Sequence, residues 1–455
     1  MEKRIGYKIY KQEDQIEFAK ISKDYNDIHL EKNIARKLIF GQQIVHGVNI
    51  LITALKLLKN YNKKIRVISC EFKEPIFLYK KITFFKIENN SSTTILVKSN
   101  KEIKTIISIN NDIHNIYKND SIKLDNSKKN KKILINRNKF LVPKNYLGLK
   151  KFFSEVQIKE ILSLSFFIGI IYPGKYSLIA GLHIDFRQNL IANSNISFSV
   201  IKIDQRINKS IIEFQGNIIG NIFAFSYKIP IFKNIKKLKK KIRPINTLKN
   251  KSSLIIGGSR GLGEITSKIL SILGSKIYLT YYMGKIEATK IKNDIQKIVK
   301  NECKIIKLNM LDKKFITKIK DISNIDYIFY FASPKILNSN FFDIKLFYNY
   351  KKIYCDNFYK ICKTLNSKSK KKIKVFYPST IFLDYKIKKF REYVKAKSHG
   401  EKIVKKINKQ FKNINVCSIR LPEMNTSQNI SILKRNKIDN EKIMTSIIKD
   451  FVTND

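Results

Sequence analysis

The chain lacks or is poor in several residue types that would favour particular classes of protein. It has no tryptophan, and its five cysteines are odd in number and show no paired spacing. This pattern argues against a disulfide framework and against a zinc site, and it fits a reducing compartment. The N-terminus lacks the apolar run of a signal peptide, and the longest apolar stretch, residues 161–172, is too short to span a bilayer. We therefore expect a cytoplasmic protein with no membrane span and no bound metal.

Acidic residues are also scarce, since 36 Asp and Glu stand against 90 Lys and Arg, a formal net charge of +54. So positive a chain raises the hypothesis of a nucleic-acid-binding protein. However, the lysines are spread over the whole chain, and no clear basic cluster with interleaved aromatics stands out. Abundant Lys, Ile and Asn are what an A/T-rich genome imposes through its codons. We therefore expect no nucleic-acid partner, although a basic surface would attract the phosphates of CoA, of NADP or of an acidic carrier protein.

The length of 455 residues exceeds what a single core supports, and the pattern divides the chain into blocks. The first block, residues 1–125, is predicted to begin with a helical segment, to continue with a long helix over residues 42–60 and to end in antiparallel strands. A polar segment over residues 119–139 is predicted to be a linker. The long helix is expected to bury one apolar stripe, formed by Ile44, Val48, Leu51, Ile52, Leu55 and Leu58.

The second block, residues 140–232, repeats this plan with an apolar helix over residues 159–172, a Pro-Gly stop and alternating strands. A second Lys-rich linker is predicted over residues 233–251. In the third block, residues 250–455, short apolar strands alternate with amphipathic helices. That rhythm predicts βαβ units and a parallel sheet.

One reactive constellation lies near the N-terminus. Asp24 and His29 flank the run Tyr-Asn-Asp-Ile, and His46-Gly47 lies early in the predicted long helix. A carboxylate and an imidazole at this spacing suit acid–base chemistry. Over residues 1–120 the sequence resembles the MaoC-like hydratase/dehydratase family, and the resemblance gives His46 a structural role. The alternative is a helix-capping carboxylate and a surface imidazole.

The resemblance implies the hot-dog fold, in which an antiparallel sheet wraps around a long helix. It also implies that Asp24 and His29 form a dyad that activates water for addition to an enoyl thioester, or that runs the reverse dehydration. The N-terminus of the long helix would polarise the thioester carbonyl. Asp27 replaces the family's proline and adds a negative charge beside the dyad. The second block resembles a hot-dog repeat without the dyad, and its His183 and Asp185 are expected to be structural.

A second constellation lies in the third block. An apolar strand runs into a glycine-rich turn, and a helix rich in Ile and Leu follows. Glycines at such a turn allow a close approach of the backbone to a pyrophosphate at the helix N-terminus. With Tyr393-x-x-x-Lys397 added, residues 250–455 resemble the short-chain dehydrogenase/reductase family. The cofactor-binding residues that this resemblance implies are Gly257, Ser259, Arg260, Gly261, Leu262, Gly263, Tyr393 and Lys397.

The same resemblance implies catalytic roles. Tyr393 would be the general acid or base, and Lys397 would lower the pKa of its phenol and hold the nicotinamide ribose. Either Ser379 or Thr380 would polarise the substrate carbonyl, and Asn357 would anchor a proton-relay water. The sequence departs from the family in three respects. Phe331-Ala332-Ser333-Pro334 replaces Asn-Asn-Ala-Gly, and Asn309 replaces the Asp that contacts adenine. The block is also shorter than a typical member, so a reduced substrate loop is expected.

The cofactor can also be argued from the residues. An NAD enzyme usually has an acidic residue at the end of its second strand, where it binds the ribose 2′-hydroxyl. Here that strand ends in Leu-Thr-Tyr-Tyr, while Arg260 and Lys285 could neutralise a 2′-phosphate. The sequence therefore favours NADP(H) over NAD(H).

Together these features predict an α+β double hot-dog followed by an α/β Rossmann-type doubly wound parallel sheet. The expected protein is a bifunctional enzyme of fatty-acid or polyketide-type metabolism that reduces 3-oxoacyl thioesters with NADPH and dehydrates (R)-3-hydroxyacyl thioesters or hydrates the enoyl form. Its partner would be an acyl thioester of CoA or of an acyl carrier protein, and the reductase block is compatible with a homo-oligomer. Two alternatives stay open: a hydratase or carrier-binding protein with a vestigial reductase, and a nucleic-acid-binding protein.

Overall fold

The computed structural model describes residues 2–59, 61–110, 132–227, 234–242, 248–322, 324–337, 341–385, 390–426 and 438–453. The chain divides into two compact units, residues 1–229 with 430–435 and residues 230–429 with 436–455. Each unit has its own sheet and its own core. Within the described ranges, no helix is both long enough and apolar enough to cross a membrane.

The first unit contains one antiparallel sheet of ten strands, in the order β1-β3-β4-β5-β2-β7-β10-β9-β8-β6. The strands are β1 (Lys3–Ile9), β2 (Val67–Phe72), β3 (Lys81–Glu88), β4 (Ser92–Ser99), β5 (Glu102–Asn110), β6 (Ile133–Asn136), β7 (Ser177–Phe186), β8 (Asn195–Asp204), β9 (Lys209–Gln215) and β10 (Ile218–Ser226). Numbered within each half, the first five and the last five strands both follow the order 1-3-4-5-2. The halves join where β2 pairs with β7.

The helices of this unit include one central apolar helix in each half. They are α1 (Gln12–Ser22), α2 (Asp27–Leu30), α3 (Lys32–Ala35), α4 (Gly47–Lys56) and α5 (Glu155–Phe166), with 3-10 turns at Arg137–Lys139 and Lys144–Lys151 and a π turn at Phe167–Ile171. Helix α5 begins after Ser154, whose side chain accepts a hydrogen bond from the backbone N–H of Gln157 and so caps the helix. Both central helices contribute to one hydrophobic core with the sheet.

Three expectations for this unit need correction. The first element is the strand β1, because Lys3–Ile9 pairs antiparallel with β3. The long helix is shorter than residues 42–60 and begins only at Gly47, although all six residues of its predicted stripe are buried. Strand β6 lies inside the predicted linker, since its apolar residues pair with β8. Residues 119–131 of that linker lie outside the described residues.

The second unit contains a parallel sheet of six strands in the order β13-β12-β11-β14-β15-β16. The strands are β11 (Ser252–Ile256), β12 (Lys276–Tyr281), β13 (Cys303–Lys307), β14 (Tyr327–Tyr330), β15 (Ile373–Thr380) and β16 (Ile414–Leu421). This is the order 3-2-1-4-5-6 of the doubly wound dinucleotide-binding fold. The parallel sheet predicted from the sequence is therefore confirmed, and its switch point lies between β11 and β14.

Helices and their hydrophobic clusters cover both faces of this sheet. The helices are α6 (Ile235–Lys239), α7 (Gly261–Ile272), α8 (Lys285–Asp294), α9 (Phe315–Lys320), α10 (Ile344–Lys351), α11 (Phe358–Lys368), α12 (Arg391–Gln410) and α13 (Asn440–Thr453), with π turns at Ile295–Val299 and Lys352–Asn357 and a 3-10 turn at Ile381–Leu383. The predicted linker over residues 233–251 contains α6, because Ile235 and Leu238 are buried in the core.

Candidate active sites

The Asp24–His29 segment forms a tight bend in the first unit. Helix α1 ends at Ser22, the next residue Lys23 adopts a left-handed conformation, and Asn26 then caps α2 by accepting a hydrogen bond from the N–H of Ile28. Both functional side chains are buried, with Asp24 3% and His29 6% exposed. The alternative of a surface imidazole is therefore wrong, and the bend brings a carboxylate and an imidazole into one buried site.

Both carboxylate oxygens of Asp24 accept hydrogen bonds. Oδ1 accepts from the backbone N–H of Asn26 at 3.2 Å, and Oδ2 accepts from the hydroxyl of Ser165 at 2.6 Å. Burial raises the pKa of Asp24 to about 7, and these two hydrogen bonds oppose the rise. The ionised and protonated forms of this carboxyl are therefore both accessible near neutral pH.

His29 presents its second ring nitrogen as an acceptor. Its Nδ1–H donates to the carbonyl oxygen of Ile44 at 2.9 Å, which leaves Nε2 with a free lone pair. Burial lowers the pKa of His29 to about 4, against the effect of the Ile44 carbonyl. The imidazole is therefore neutral at physiological pH and suited to accept a proton or a hydrogen bond.

His46 packs against His29 and contacts the backbone of Asp24. It is fully buried, and its ring stacks on that of His29 with centroids 3.8 Å apart. Nδ1 lies 2.9 Å from Oε1 of Gln15, and Nε2 lies 3.2 Å from the backbone oxygen of Asp24. Burial lowers the pKa of His46, as does the neighbouring His29. Because His46 does not line the pocket, its contacts are those of a residue that positions the dyad.

A pocket of about 240 Å³ opens beside the dyad. Residues from both halves of the first unit line it, including Gly47 at the N-terminus of α4 and Ser165 near the end of α5. Most of its walls are apolar, which suits an acyl chain rather than a charged ligand. The apolar lining residues are Ile39, Phe40, Ile44, Val45, Ile50, Phe72, Pro75, Ile76, Ile168, Leu178, Ile179, Ala180, Phe225 and Tyr227.

Asp24, His29 and His46 offer potential metal-ligand atoms within 4.8 Å of one another. The two rings are stacked, with their planes 27° apart. Stacked imidazoles direct their lone pairs side by side rather than toward one shared point, and both Asp24 oxygens already accept hydrogen bonds. The arrangement fits a water molecule held between two acceptors better than it fits a metal ion.

In the second unit, the glycine-rich turn follows β11 and opens α7. Gly257 has a φ of +83°, and a Cβ on it would lie 2.7 Å from the backbone nitrogen of Ala332. A Cβ on Gly263 would lie 2.3 Å from the carbonyl oxygen of Gly257, whereas Gly261 faces open space. The turn therefore requires glycine for backbone packing, and the open helix N-terminus fits a pyrophosphate. Of the other predicted contacts, Ser259 is buried and Leu262 packs on the core.

Basic residues lie at this turn and after the end of β12. Arg260 directly precedes α7, and Lys285 begins α8 after β12, which ends without an acidic residue. The pKa of Lys335 is lowered to about 8 by burial and by the charge of Arg260. Lys335 was not predicted from the sequence, and it directly follows the segment Phe331-Ala332-Ser333-Pro334. Cations near the turn are compatible with a phosphate-bearing ligand.

The structure brings Thr380, Tyr393 and Lys397 together and separates Ser379 from them. The side chain of Thr380 shares a hydrogen bond with the Tyr393 phenol, whereas the hydroxyl of Ser379 donates to Glu401 at 2.6 Å. Successive residues of a strand point to opposite faces, which explains the difference. Of the two hydroxyls left open by the sequence, Thr380 is the one placed for chemistry at Tyr393.

Lys397 is enclosed by aromatic rings. Its Nζ donates to the carbonyl oxygen of Pro378 at 2.6 Å and lies 4.2 Å from the ring centroid of Tyr354 and 6.0 Å from that of Tyr393. Burial lowers the pKa of Lys397 to about 7. Asn357, expected to anchor a water molecule, donates its amide to the carbonyl oxygen of Met310.

The electrostatics at Tyr393 differ from expectation. Burial raises the pKa of its phenol to about 12, and Lys397 is not among the groups that shift it. The lowering of the Tyr393 pKa by Lys397 stays a prediction. Burial favours the neutral form of both groups and therefore opposes such a lowering.

Several residues of the first site were missed in the sequence. Ser165 and Gly169 belong to an apolar helix of the second half, and Gln15 belongs to α1. The available signal was a hydroxyl and a glycine within a run of large apolar residues, which a simple core helix does not need. His183 and Asp185 form a pair 3.5 Å apart on β7 and do not line the pocket.

In the comparison with known protein families, a family model matches the first half of the first unit. Residues 2–111 match the family described as MaoC like domain, so the chain carries a MaoC-like domain at its N-terminus. A comparison with curated proteins gives no significant match.

Solved structures similar to the chain include FolM alternative dihydrofolate reductase 1 from Brucella suis in complex with NADP, with 15% identity, a TM-score of 0.35 and coverage of 38% of this chain and 76% of that chain. They also include the angucycline C-6 ketoreductase LanV with bound NADP, with 16% identity, a TM-score of 0.36 and coverage of 39% and 75%. An alcohol dehydrogenase from the archaeon Thermococcus sibiricus, complexed with 5-hydroxy-NADP, has 14% identity, a TM-score of 0.38 and coverage of 44% and 90%. The fold of the second unit is defined by its own strand order.

Proposed function

We propose that the first unit is a hydratase or dehydratase of acyl thioesters. The observation that carries the proposal is the pairing of Asp24 and His29 as two buried acceptors at the wall of an apolar pocket. Such a pocket takes an acyl chain, and the pair takes the water that adds to it or leaves from it. The MaoC-like match over residues 2–111 supports this class of reaction.

In the hydration direction, a water molecule donates hydrogen bonds to Asp24 and to Nε2 of His29, so that its oxygen lone pair faces C3 of the 2-enoyl chain. The water oxygen bonds to C3 while one water proton passes to the pair, and the pair delivers a proton to C2. One water is thereby added across the double bond. This step needs an ionised Asp24 and a neutral His29, and their pKa values of about 7 and about 4 make both forms available above neutral pH.

The thioester carbonyl would bind at the N-terminus of α4. Gly47 begins this helix and lines the pocket, and the first backbone N–H groups of a helix have no partner inside it. Negative charge that develops on the carbonyl oxygen as water adds to C3 would be stabilised by these donors. A Cβ at Gly47 would come within 3.1 Å of the Phe72 ring, so glycine allows this ring to pack closely against the start of the helix.

We propose a double hot-dog for the first unit. Support comes from the strand order 1-3-4-5-2 in both halves, from one central apolar helix in each half and from the β2–β7 pairing that makes the sheet continuous. Only the first half contains the dyad motif. In this arrangement a single chain supplies the pair of folds that encloses one pocket.

For the second unit we propose an NADP(H)-dependent reduction of a 3-oxoacyl thioester. The glycine turn at the N-terminus of α7 fits a dinucleotide, which when bound supplies a hydride to the substrate carbonyl. Thr380 would polarise that carbonyl, Tyr393 would deliver a proton to its oxygen, and Lys397 would hold the ribose. Arg260 beside the turn and the absence of an acid at the end of β12 favour a 2′-phosphate. Calorimetry with NADPH and NADH tests this preference.

The two activities are consecutive on one substrate. Reduction converts a 3-oxoacyl thioester into a 3-hydroxyacyl thioester, and dehydration then gives the 2-enoyl thioester, on CoA or on an acyl carrier protein. A second candidate is a hydratase with an inactive reductase unit. That candidate is favoured by the raised pKa of Tyr393, which makes its phenol a weaker proton donor, and by the lowered pKa of Lys397.

The full-length chain can be tested with two assays. Hydration is followed by the loss of enoyl absorbance with crotonyl-CoA and with longer 2-enoyl thioesters, and reduction is followed by NADPH oxidation with acetoacetyl-CoA. Activity in both assays supports the bifunctional enzyme. Hydration without NADPH oxidation or NADPH binding supports the second candidate, and the absence of hydration across enoyl-CoA and enoyl-carrier substrates would overturn the proposal for the first unit.

A further inference from the structure

We propose that the half of the first unit without a dyad supplies a positioning residue of the active site, Ser165, which holds the Asp24 carboxylate in its working orientation. This inference deepens the proposed hydratase function and rests on it. The second half would then be retained because the chemistry of the first half depends on it, and not only because it completes the fold.

The contact between the halves is direct. Ser165 lies near the C-terminal end of α5 and is 2% exposed, and its hydroxyl donates to Oδ2 of Asp24 at 2.6 Å. The other oxygen, Oδ1, is held by the N–H of Asn26 from the first half. One carboxylate oxygen is therefore fixed by each half, and the rotation of the carboxylate is set by both together.

The backbone after Ser165 is shaped around the same carboxylate. The helix continues into the π turn Phe167–Ile171, in which Tyr172 N–H donates to the carbonyl oxygen of Phe167 at 2.8 Å. A Cβ on Gly169 in this turn would lie 1.9 Å from Oδ1 of Asp24. A side chain there would displace the carboxylate, so glycine is required. Insertions of this kind within helices are frequent at functional sites.

The Asp24–His29 segment is also hydrogen-bonded to the second half of the first unit. Asn26 donates its amide to the carbonyl oxygen of Ser177 at 3.4 Å and accepts from the N–H of Tyr176 at 3.3 Å. Ser177 in turn donates its hydroxyl to the carbonyl oxygen of Ile168 at 2.7 Å. These bonds join the Asp24–His29 segment to the π turn Phe167–Ile171. The distance between Ser165 and Asp24 is therefore maintained by these bonds as well as by the hydrogen bond between the two residues.

The Ser165 hydroxyl opposes the effect of burial on the pKa of Asp24. The ionised form of Asp24 is disfavoured by burial and favoured by the hydrogen bonds from Ser165 and Asn26. The titratable groups that face this carboxylate are His46, with Nε2 3.9 Å from Oδ2, and His29. Both imidazoles are kept neutral by burial, so they supply no positive charge. The Ser165 hydroxyl is therefore a principal support for the reactive, ionised form.

The test is the pH profile of crotonyl-CoA hydration for the full-length chain. In Ser165→Ala we expect the acidic limb of kcat/KM to move to higher pH by about 1 to 2 pH units, because a hydrogen bond to a charge is lost. At pH 7 this is a loss of about 5- to 50-fold, with partial recovery near pH 9. Ser165→Thr keeps the hydroxyl and should restore the wild-type limb.

Ser163→Ala is the matched control. Ser163 is buried on the same helix, and its hydroxyl donates to the carbonyl oxygen of Glu160 at 2.6 Å instead of to Asp24. We expect its pH profile to coincide with that of the wild type. A Ser165→Ala profile that also coincides with the wild type would overturn the inference, while a wild type without hydratase activity would count against the proposed function.

A second readout does not need activity. Thermal unfolding of the wild type and of Ser165→Ala is measured from pH 5 to pH 9. Because Asp24 would titrate at higher pH in the variant, the difference in Tm should widen between pH 7 and pH 9, whereas Ser163→Ala should shift Tm equally at every pH. A constant difference for Ser165→Ala would contradict the inference whether or not the substrate is known.

Discussion

The site in the first unit and the site in the second are both buried, but burial affects them differently. Burial raises the pKa of Asp24 to about 7, and hydrogen bonds from the chain itself keep the ionised form within reach. In the second site burial raises the pKa of Tyr393 to about 12 and lowers that of Lys397 to about 7. Both residues of the second site are thus shifted toward their neutral forms, although the hydrogen bond with Thr380 favours the Tyr393 phenolate and the carbonyl oxygen of Pro378 accepts from Lys397 Nζ.

The two sites differ in which groups can stabilise the charged forms of their residues. A carboxylate can be supported by hydroxyl and backbone donors, and the first site has one of each. In the second site the Thr380 side chain is the one such donor to Tyr393 that shifts its pKa downward, and Lys397 Nζ donates to the carbonyl oxygen of Pro378. We expect the first site to be complete in the free protein and the second to be completed by the charges of a bound dinucleotide.

The strongest test of this comparison is Asp24→Asn. We expect hydration of crotonyl-CoA to fall by about 10³-fold, because the amide cannot take the water proton and general acid–base catalysis supplies about 10²–10⁴-fold. The rate of NADPH oxidation with acetoacetyl-CoA should stay unchanged. Loss of both activities in a variant that remains folded would show that the two units do not act separately.

The next largest effect is expected for Tyr393→Phe. Carbonyl reduction should fall by about 10²- to 10³-fold, while NADPH binding measured by calorimetry should change little, since the phenol oxygen serves the proton and not the cofactor. Lys397→Ala should weaken both. Tyr348→Phe is a control on the same unit, because its ring is 58% exposed and lies outside the site. Full reductase activity in Tyr393→Phe would leave the second unit as a dinucleotide-binding fold without this chemistry.

A smaller effect should separate the two neighbouring hydroxyls. Thr380→Ala removes the group that is bonded to Tyr393, so we expect reduction to fall by about 10- to 100-fold. Ser379→Ala removes a bond to Glu401, on the other face of the strand, and should cost much less activity. Equal losses in the two variants would mean that the strand and not the hydroxyl is what matters. Steady-state kinetics with acetoacetyl-CoA and NADPH measures both.

Much of this organisation is predictable from the sequence because it is local. The dyad spacing, the buried stripe of α4 and the glycine turn between β11 and α7 are each read within a short segment. The parallel sheet follows from the alternation of apolar strands with helices. Strand β6 was missed because a four-residue strand within a Lys- and Asn-rich region has too short a pattern, and its pairing with β8 is decided elsewhere in the chain.

The parts that could not be predicted depend on contacts between distant residues. Ser165 and Asp24 are 141 positions apart, and only the pairing of the two halves brings them together. The pKa values are also beyond the sequence, since burial dominates each of them. For Lys397 the sequence predicted a charged partner of Tyr393, whereas the burial that lowers its pKa arises only in the folded unit.

The smallest predicted effect concerns stability, and it tests the electrostatics of Asp24 without any substrate. The pKa of Asp24 is about 7 in the folded protein and about 3.9 in an unfolded chain. Between these values the folded state binds more protons, so this carboxyl makes the free energy of unfolding fall as pH rises from about 4 to about 7. His29 has the opposite sign over pH 4 to 6.5, but it is present in both proteins when Asp24→Asn is compared with the wild type. The variant should therefore gain stability relative to the wild type as pH rises, reaching about 4–8 °C in Tm by pH 8 if about 2 kcal/mol of the burial cost is relieved.

Asp204→Asn is the control: the pKa of Asp204 is lowered to about 2 by its hydrogen bonds with Arg206, so its effect on Tm should be constant from pH 5 to pH 8. A Tm difference for Asp24→Asn that stayed constant from pH 4 to pH 8 would mean that Asp24 titrates normally, and the contrast between the two sites would lose its basis.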